Sequence, residues 1–200
     1  MTRRPRARAN QDSAEGVRRG GRWRFAVTAL LLGGLVVLVD QWTKSWAEST
    51  LIEGERTPLV GSLFGLQLAY NPGAAFSFGE GFTWVFALVS VAAVVVATVF
   101  AFRVRQLGWT LVVGALGGAA ASHASDRLFR EPGFGRGHVV DFLAYGNLFI
   151  GNFADFVIVT GAVAGALLMW REERAREQAS TTTILRRRIA ENLPPEDDTR

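Results

Sequence analysis

The chain has 200 residues, 49% of them hydrophobic, with 22 glycines against 6 prolines and a formal net charge of +4. That is too short for several domains and too apolar in blocks for an ordinary globule, which leaves a small multi-span membrane protein as the fitting class. There is no cysteine, so disulfides, thiol catalysis, thiolate metal sites and a lipid-modified cysteine of its own are all excluded.

Residues 1–24 carry eight arginines and no apolar periodicity, the pattern of a disordered basic tail. Such a tail reads first as a topology signal, with contact to anionic lipid or nucleic acid as the competing reading. The run from Phe25 to Val39 is apolar and, extended to Trp46, is long enough to cross a bilayer. A signal peptide has the same general plan of arginines followed by about fifteen apolar residues. No small-x-small cleavage site follows directly, however, and a retained span over 25–46 is favoured. Asp40 and Lys44 lie four apart on one helical face at its end, as a structural ion pair would.

Residues 47–81 change character. Phe64, Leu66, Leu68 and Tyr70 alternate with a period of two and predict a strand. Asn71, Pro72 and Gly73 then make a turn, with Ala74 to Phe78 as the returning partner strand, giving a small β element over about 60–80. Residues 82–102 form an uncharged second span. Arg103 and Arg105 make a tight basic turn into a third, over about 107–124, where Gly114 and Gly118 form a GxxxG pair. A fourth span covers about 154–170, with Gly161 and Gly165 at the same spacing, which lets helix backbones approach closely. Residues 171–200 are a mixed-charge tail, expected to be disordered beyond its first turns.

Basic residues at both ends and at the 103–106 turn place those segments in the cytoplasm by the positive-inside rule. The fold class is therefore an all-α membrane protein, four transmembrane helices with a small extracytoplasmic β-hairpin or cradle. Asp40, Lys44, Asn71, Asp126, Arg127, Asp141 and Asp155 all fall at the outer face, and convergence of polar residues from separate stretches is what a site requires.

Asp141 and Asp155 need the most explanation, because a carboxylate in or near hydrocarbon costs several kcal/mol unless it is neutralised or paired. Two carboxyls forced together tend to share a proton, leaving one as base and one as acid. For Asp155 a structural role competes: Asn152 can cap a helix, and an acid three residues later suits its first turn. Asp126 is expected to pair with its neighbour Arg127. His123 and His138, fifteen residues apart, make no metal-ligand pattern and read as polar loop or helix-end residues.

Five blocks in order, DQWTKSW at 40–46, YNPGAAFSF at 70–78, DRL at 126–128, HVVDF at 138–142 and GNFAD at 151–155, resemble the lipoprotein signal peptidases, or signal peptidase II. The resemblance covers about residues 25–170. It implies a bacterial intramembrane aspartic endopeptidase that cleaves diacylglyceryl-modified prolipoproteins just before the lipidated cysteine, with Asp141 and Asp155 as the catalytic dyad. It also implies that Asn71 and Asn152 line the site, that Asp40, Lys44, Asp126, Arg127, Gly73 and His123 support it, and that no metal or cofactor is used. The partners it implies are prolipoproteins and the phospholipid bilayer, with no nucleic acid and a monomeric enzyme. The sequence departs from the family pattern at Ser122 and His123, where Gly-Asn is usual, and at Gly151, where a bulky residue is common. A proton-coupled transporter would also keep acids in membrane segments, but it should show repeats or broken helices. A structural adaptor would leave Asp141 without a role.

Overall fold

A computed structural model of the chain describes residues 5–73 and 80–191. Among the described residues there are four α-helices, α1 (Pro5–Thr50), α2 (Thr83–Ala101), α3 (Leu107–Phe129) and α4 (Phe153–Glu191), with strands β1 (Arg56–Val60), β2 (Phe64–Asn71), β3 (Val139–Tyr145) and β4 (Phe149–Gly151). Each helix contains a stretch long and apolar enough to cross a membrane: Trp23–Thr50, Thr83–Ala101, Leu107–Phe129 and Phe153–Arg186. The chain divides into two compact units, residues 1–162 and 163–200.

Helix exceeds expectation at both ends of the chain. Residues 5–24 are helical where a disordered tail is expected, and α4 continues to Glu191 well beyond Trp170. Both segments are rich in Arg and Ala, good helix formers, and each extends a helix already nucleated by an apolar span, so no new nucleation cost arises. In the second unit the Arg174 guanidinium lies 4.1 Å from the centre of the Trp170 ring, a cation-π contact one helical turn along.

Within the first unit α3 packs against both α1 and α2. Glycine makes the first contact possible: a Cβ on Gly114 would come within 2.6 Å of the Ala29 carbonyl oxygen, and one on Gly118 would collide with Gly33 backbone. The GxxxG spacing at 114 and 118 therefore acts structurally, as expected. Val36, Ala119, Ala154 and Val157 form a small buried cluster joining α1, α3 and the start of α4.

The expected β element is present as a four-stranded sheet in which β1 and β2 form an antiparallel hairpin. The four strands form one antiparallel sheet in the order β1-β2-β3-β4, so both edges of β2 are occupied, by β1 and by β3. The returning strand expected over Ala74 to Phe78 lies outside the described residues. The connection from α3 to α4 supplies β3 and β4. On β3, Val140 and Phe142 pack with Ala47 and Leu68, and strand alternation turns Asp141 to the opposite face.

Candidate active site

The register of the sheet assembles the polar residues. Ala69 pairs with Asp141 and Asn71 with Val139, so Asn71 and Asp141 are diagonal neighbours on one face, within side-chain reach. The Asn71 side-chain amide donates to Asp141 Oδ2 at 3.0 Å, and Asn71 Oδ1 accepts the Gly73 amide at 3.0 Å. On the other side of β3, Leu143 pairs with Gly151. The next residue along, Asn152, therefore lies toward Asp141, and its side-chain amide donates to Asp141 Oδ1 at 2.6 Å.

Asn152 is also the sole residue between β4 and α4. Its Oδ1 accepts the Asp155 amide at 3.0 Å while Asp155 Oδ2 accepts the Asn152 amide at 2.9 Å, a reciprocal box that satisfies two donors otherwise orphaned at a helix start. The capping role expected for Asn152 is thus present, and it does not compete with a functional one. One amide side chain caps the helix that carries Asp155 and bonds the carboxylate of Asp141. Asp155 Oδ1 faces His123 Nε2 at 3.3 Å.

The two carboxyls sit in different surroundings. Asp141 is 3% exposed, whereas the Asp155 side chain is 40% exposed. Burial pushes the Asp141 carboxyl up to about 6; the Asp155 charge adds to this, and hydrogen bonds from Asn71 and Asn152 pull it part of the way back. Both carboxylates border a cavity of about 420 Å³, with Asn71, Gly73, His123 and Arg127 on the same lining and apolar walls from Phe86 and Val89 of α2, Phe149 and Ile150 of β4, and Ile158 and Val159 of α4.

Arg127 does not pair with Asp126, contrary to expectation. Its guanidinium donates to the backbone carbonyls of Asn71 and Pro72, each at 2.9 Å, of Gly137 at 3.2 Å and of Gly73, and it lies 5.7 Å from the centre of the Phe86 ring. Successive helical residues point in different directions, so neighbours at 126 and 127 do not face each other. Arg127 thereby ties α3 to the turn that carries Asn71.

Asp40, Lys44 and Asp126 do not line the cavity; they form a fully buried cluster behind it. Lys44 Nζ lies 2.5 Å from Asp40 Oδ2 and 2.7 Å from Asp126 Oδ2, the first contact being the expected i,i+4 pair. Asp40 Oδ1 accepts the Ala154 amide at 2.8 Å, capping α4 from another helix next to Asp155. Gln41 and Arg130 escaped the sequence reading. Gln41 Nε2 donates to Asp126 Oδ1 at 2.8 Å, and Arg130 reaches Asp126 at 2.7 Å and Glu48 at 2.6 Å. The i,i+4 spacing of Asp126 and Arg130 was the signal available for the second.

The family model described as "Signal peptidase (SPase) II" matches residues 32–171. The chain belongs to the signal peptidase II family. Among relatives, a lipoprotein signal peptidase of Leifsonia xyli is 46% identical over 136 residues, which are 68% of this chain and 61% of that protein. One of Bifidobacterium adolescentis is 38% identical over 137 residues, 68% of this chain and 73% of that one. A solved bacterial membrane enzyme, determined in meso at 2.3 Å, shares the fold with a TM-score of 0.65 at 22% identity, covering 73% of this chain and 89% of its own. Signal peptidase II membership accounts for the order of the five motif blocks, all of which fall within or across the matched residues.

Proposed function

We propose that the protein is a membrane-embedded aspartic endopeptidase that removes the signal peptide from diacylglyceryl-modified prolipoproteins immediately before the lipidated cysteine. The observation that carries this reading is the joining of Asp141 and Asp155 through Asn152 at the polar side of a cavity whose other walls are apolar. A lipid-bearing peptide needs both kinds of surface. The names of the relatives point to the same substrate class.

In this mechanism the two carboxyls share one proton and titrate as a unit. The proton sits more readily on Asp141, which is the more buried. A water held between the pair loses a proton to Asp155 as it attacks the scissile carbonyl, while the acid form of Asp141 donates a hydrogen bond to the developing oxyanion; when the C–N bond breaks, the proton taken up by Asp155 passes to the leaving amine, and the pair is left sharing one proton again. Asn71 and Asn152 hold the Asp141 carboxyl from two sides, and Arg127 and Gly73 hold Asn71. The peptidase domain spans residues 25–170, works as a monomer in a bacterial cytoplasmic membrane, keeps both termini cytoplasmic and opens its site near the extracytoplasmic face.

The test uses purified protein in detergent or lipid with a diacylglyceryl-modified precursor and its unmodified form, a family enzyme serving as positive control. The modified precursor alone is expected to be cleaved. Asparagine nearly matches aspartate in size but takes no proton from water, so Asp141→Asn and Asp155→Asn should each abolish cleavage, and the double variant should be no worse than either, since residues acting as a unit are strongly non-additive. Cleavage of neither precursor by folded protein overturns the proposal; substantial turnover by one variant removes that aspartate from the pair.

A further inference from the structure

Two adjacent residues of α3 reach the first turn of α4 by separate routes. Ser122 is fully buried, and its hydroxyl donates to Asp40 Oδ2 at 2.6 Å, while Asp40 Oδ1 accepts the Ala154 amide at 2.8 Å. His123 borders the cavity instead, with Nε2 3.3 Å from Asp155 Oδ1. The charged groups that line the same cavity as this imidazole are Asp155 from α4, Asp141 from β3 and Arg127 from α3.

Asp155 Oδ2 is already engaged by the Asn152 amide at 2.9 Å. The terminal torsion of an aspartate is broad and nearly free when one oxygen alone is held. A second contact on Oδ1 fixes the plane of the carboxylate. The buried hydroxyl of Ser122 does the complementary work one step back, because the position of Asp40 sets where the helix carrying Asp155 begins.

We propose that Ser122 and His123 are paired positioning residues for Asp155, Ser122 fixing the start of α4 through Asp40 and His123 fixing the orientation of the carboxylate directly. The proposal rests on the reading of Asp155 as one of the catalytic pair, but its geometry is measurable without cleavage. The chain has 2 histidines, so ring 15N NMR of histidine-labelled protein in micelles gives two sets of signals, which His138→Gln assigns. Asp155→Ala is expected to move the His123 Nε2 signal and leave that of His138 in place. An unmoved His123 signal overturns the contact.

In the cleavage assay, His123→Phe keeps a ring and removes the donor, and it should lower kcat about tenfold to a hundredfold, as a small misplacement of a reacting group does, with KM within about twofold. His123→Gln returns an N–H at similar reach and should restore most of that loss. Ser122→Ala should also lower kcat, and its loss combined with that of His123→Phe should be less than the product of the two, because both act on one turn. Equal losses in the Phe and Gln variants, a change confined to KM, or full activity in Ser122→Ala would each overturn the pairing. If wild-type protein cleaves no precursor, the enzymatic reading fails, while the NMR result still decides the contact.

Discussion

At Asp141 the fold holds a carboxyl where its charge is costly. In water an aspartate titrates near 3.8, whereas burial and the Asp155 charge push Asp141 up to about 6. Between those values the folded protein binds more protons than the unfolded chain, so the contribution of this residue to stability falls as pH rises through that window. About two pH units at ~1.4 kcal/mol each make ~3 kcal/mol, absent below about pH 4 and fully felt above about pH 6. Asp141→Asn removes the ionisation. Its Tm advantage over wild type is therefore expected to grow between about pH 4 and pH 6 and to level off above, in melts run in one detergent. A difference that stays constant with pH would mean that Asp141 is not the strained acid. Such a cost, kept at a residue whose two oxygens are both hydrogen-bonded, is what the proposed proton transfer makes use of.

Among the elements, α1, α3 and the start of α4 are joined by buried charge rather than by apolar packing alone. Asp126 holds Lys44 and Arg130 at once, so Asp126→Asn leaves buried Lys44 with one carboxylate and should destabilise by about 3–5 kcal/mol. Because Asp126 stands behind the cavity, part of the cleavage activity should survive. A Tm equal to wild type, or complete loss of cleavage in folded protein, would contradict this division between support and chemistry. The same cluster shows what was legible in the sequence. Pairs spaced at i,i+4 can be read from spacing, as Asp40 and Lys44 were; contacts between helices, such as Lys44 with Asp126, depend on packing that spacing does not encode. The apolar spans and the alternating strand β2 were legible for similar reasons. β3 was not, because Val139, Val140, Asp141, Phe142 and Ala144 are all buried, and a strand covered on both faces loses its period of two. Its pairing with β2 joins residues about 70 positions apart, which no local pattern reveals. Asp155 was legible as a helix-start acid, but its link to Asp141 through Asn152 needed the sheet register.

For the molecule as a whole, the sheet constrains membrane topology independently of charge. β1 and β2 lie in the connection from α1 to α2, while β3 and β4 lie in the connection from α3 to α4. Pairing of β2 with β3 brings these two connections together, so they share one side of the membrane, and the short turn between α2 and α3 falls on the other if each helix crosses once. Arginine then chooses which side is which. Arg103 and Arg105 occupy the short turn, and Arg171, Arg174 and Arg176 follow the fourth apolar stretch, whereas Arg127, Arg130 and Arg136 stand on the sheet side and oppose the bias. Two of these three are engaged within the fold, Arg127 by backbone carbonyls and Arg130 by Asp126 and Glu48. The arginines of the turn and of the segment after Trp170 should therefore govern insertion. Reporter fusions after Trp170 are expected to read cytoplasmic and fusions at Gly54 extracytoplasmic. Replacing Arg103 and Arg105 by glutamine should raise the fraction of inverted molecules, since the orienting charge near the middle of the chain is then gone. A cytoplasmic reading at Gly54 in the wild-type chain would reverse the proposed orientation while leaving the pairing of the two connections intact, and fusions at Gly54 and within 146–148 that read on opposite sides would contradict the sheet itself.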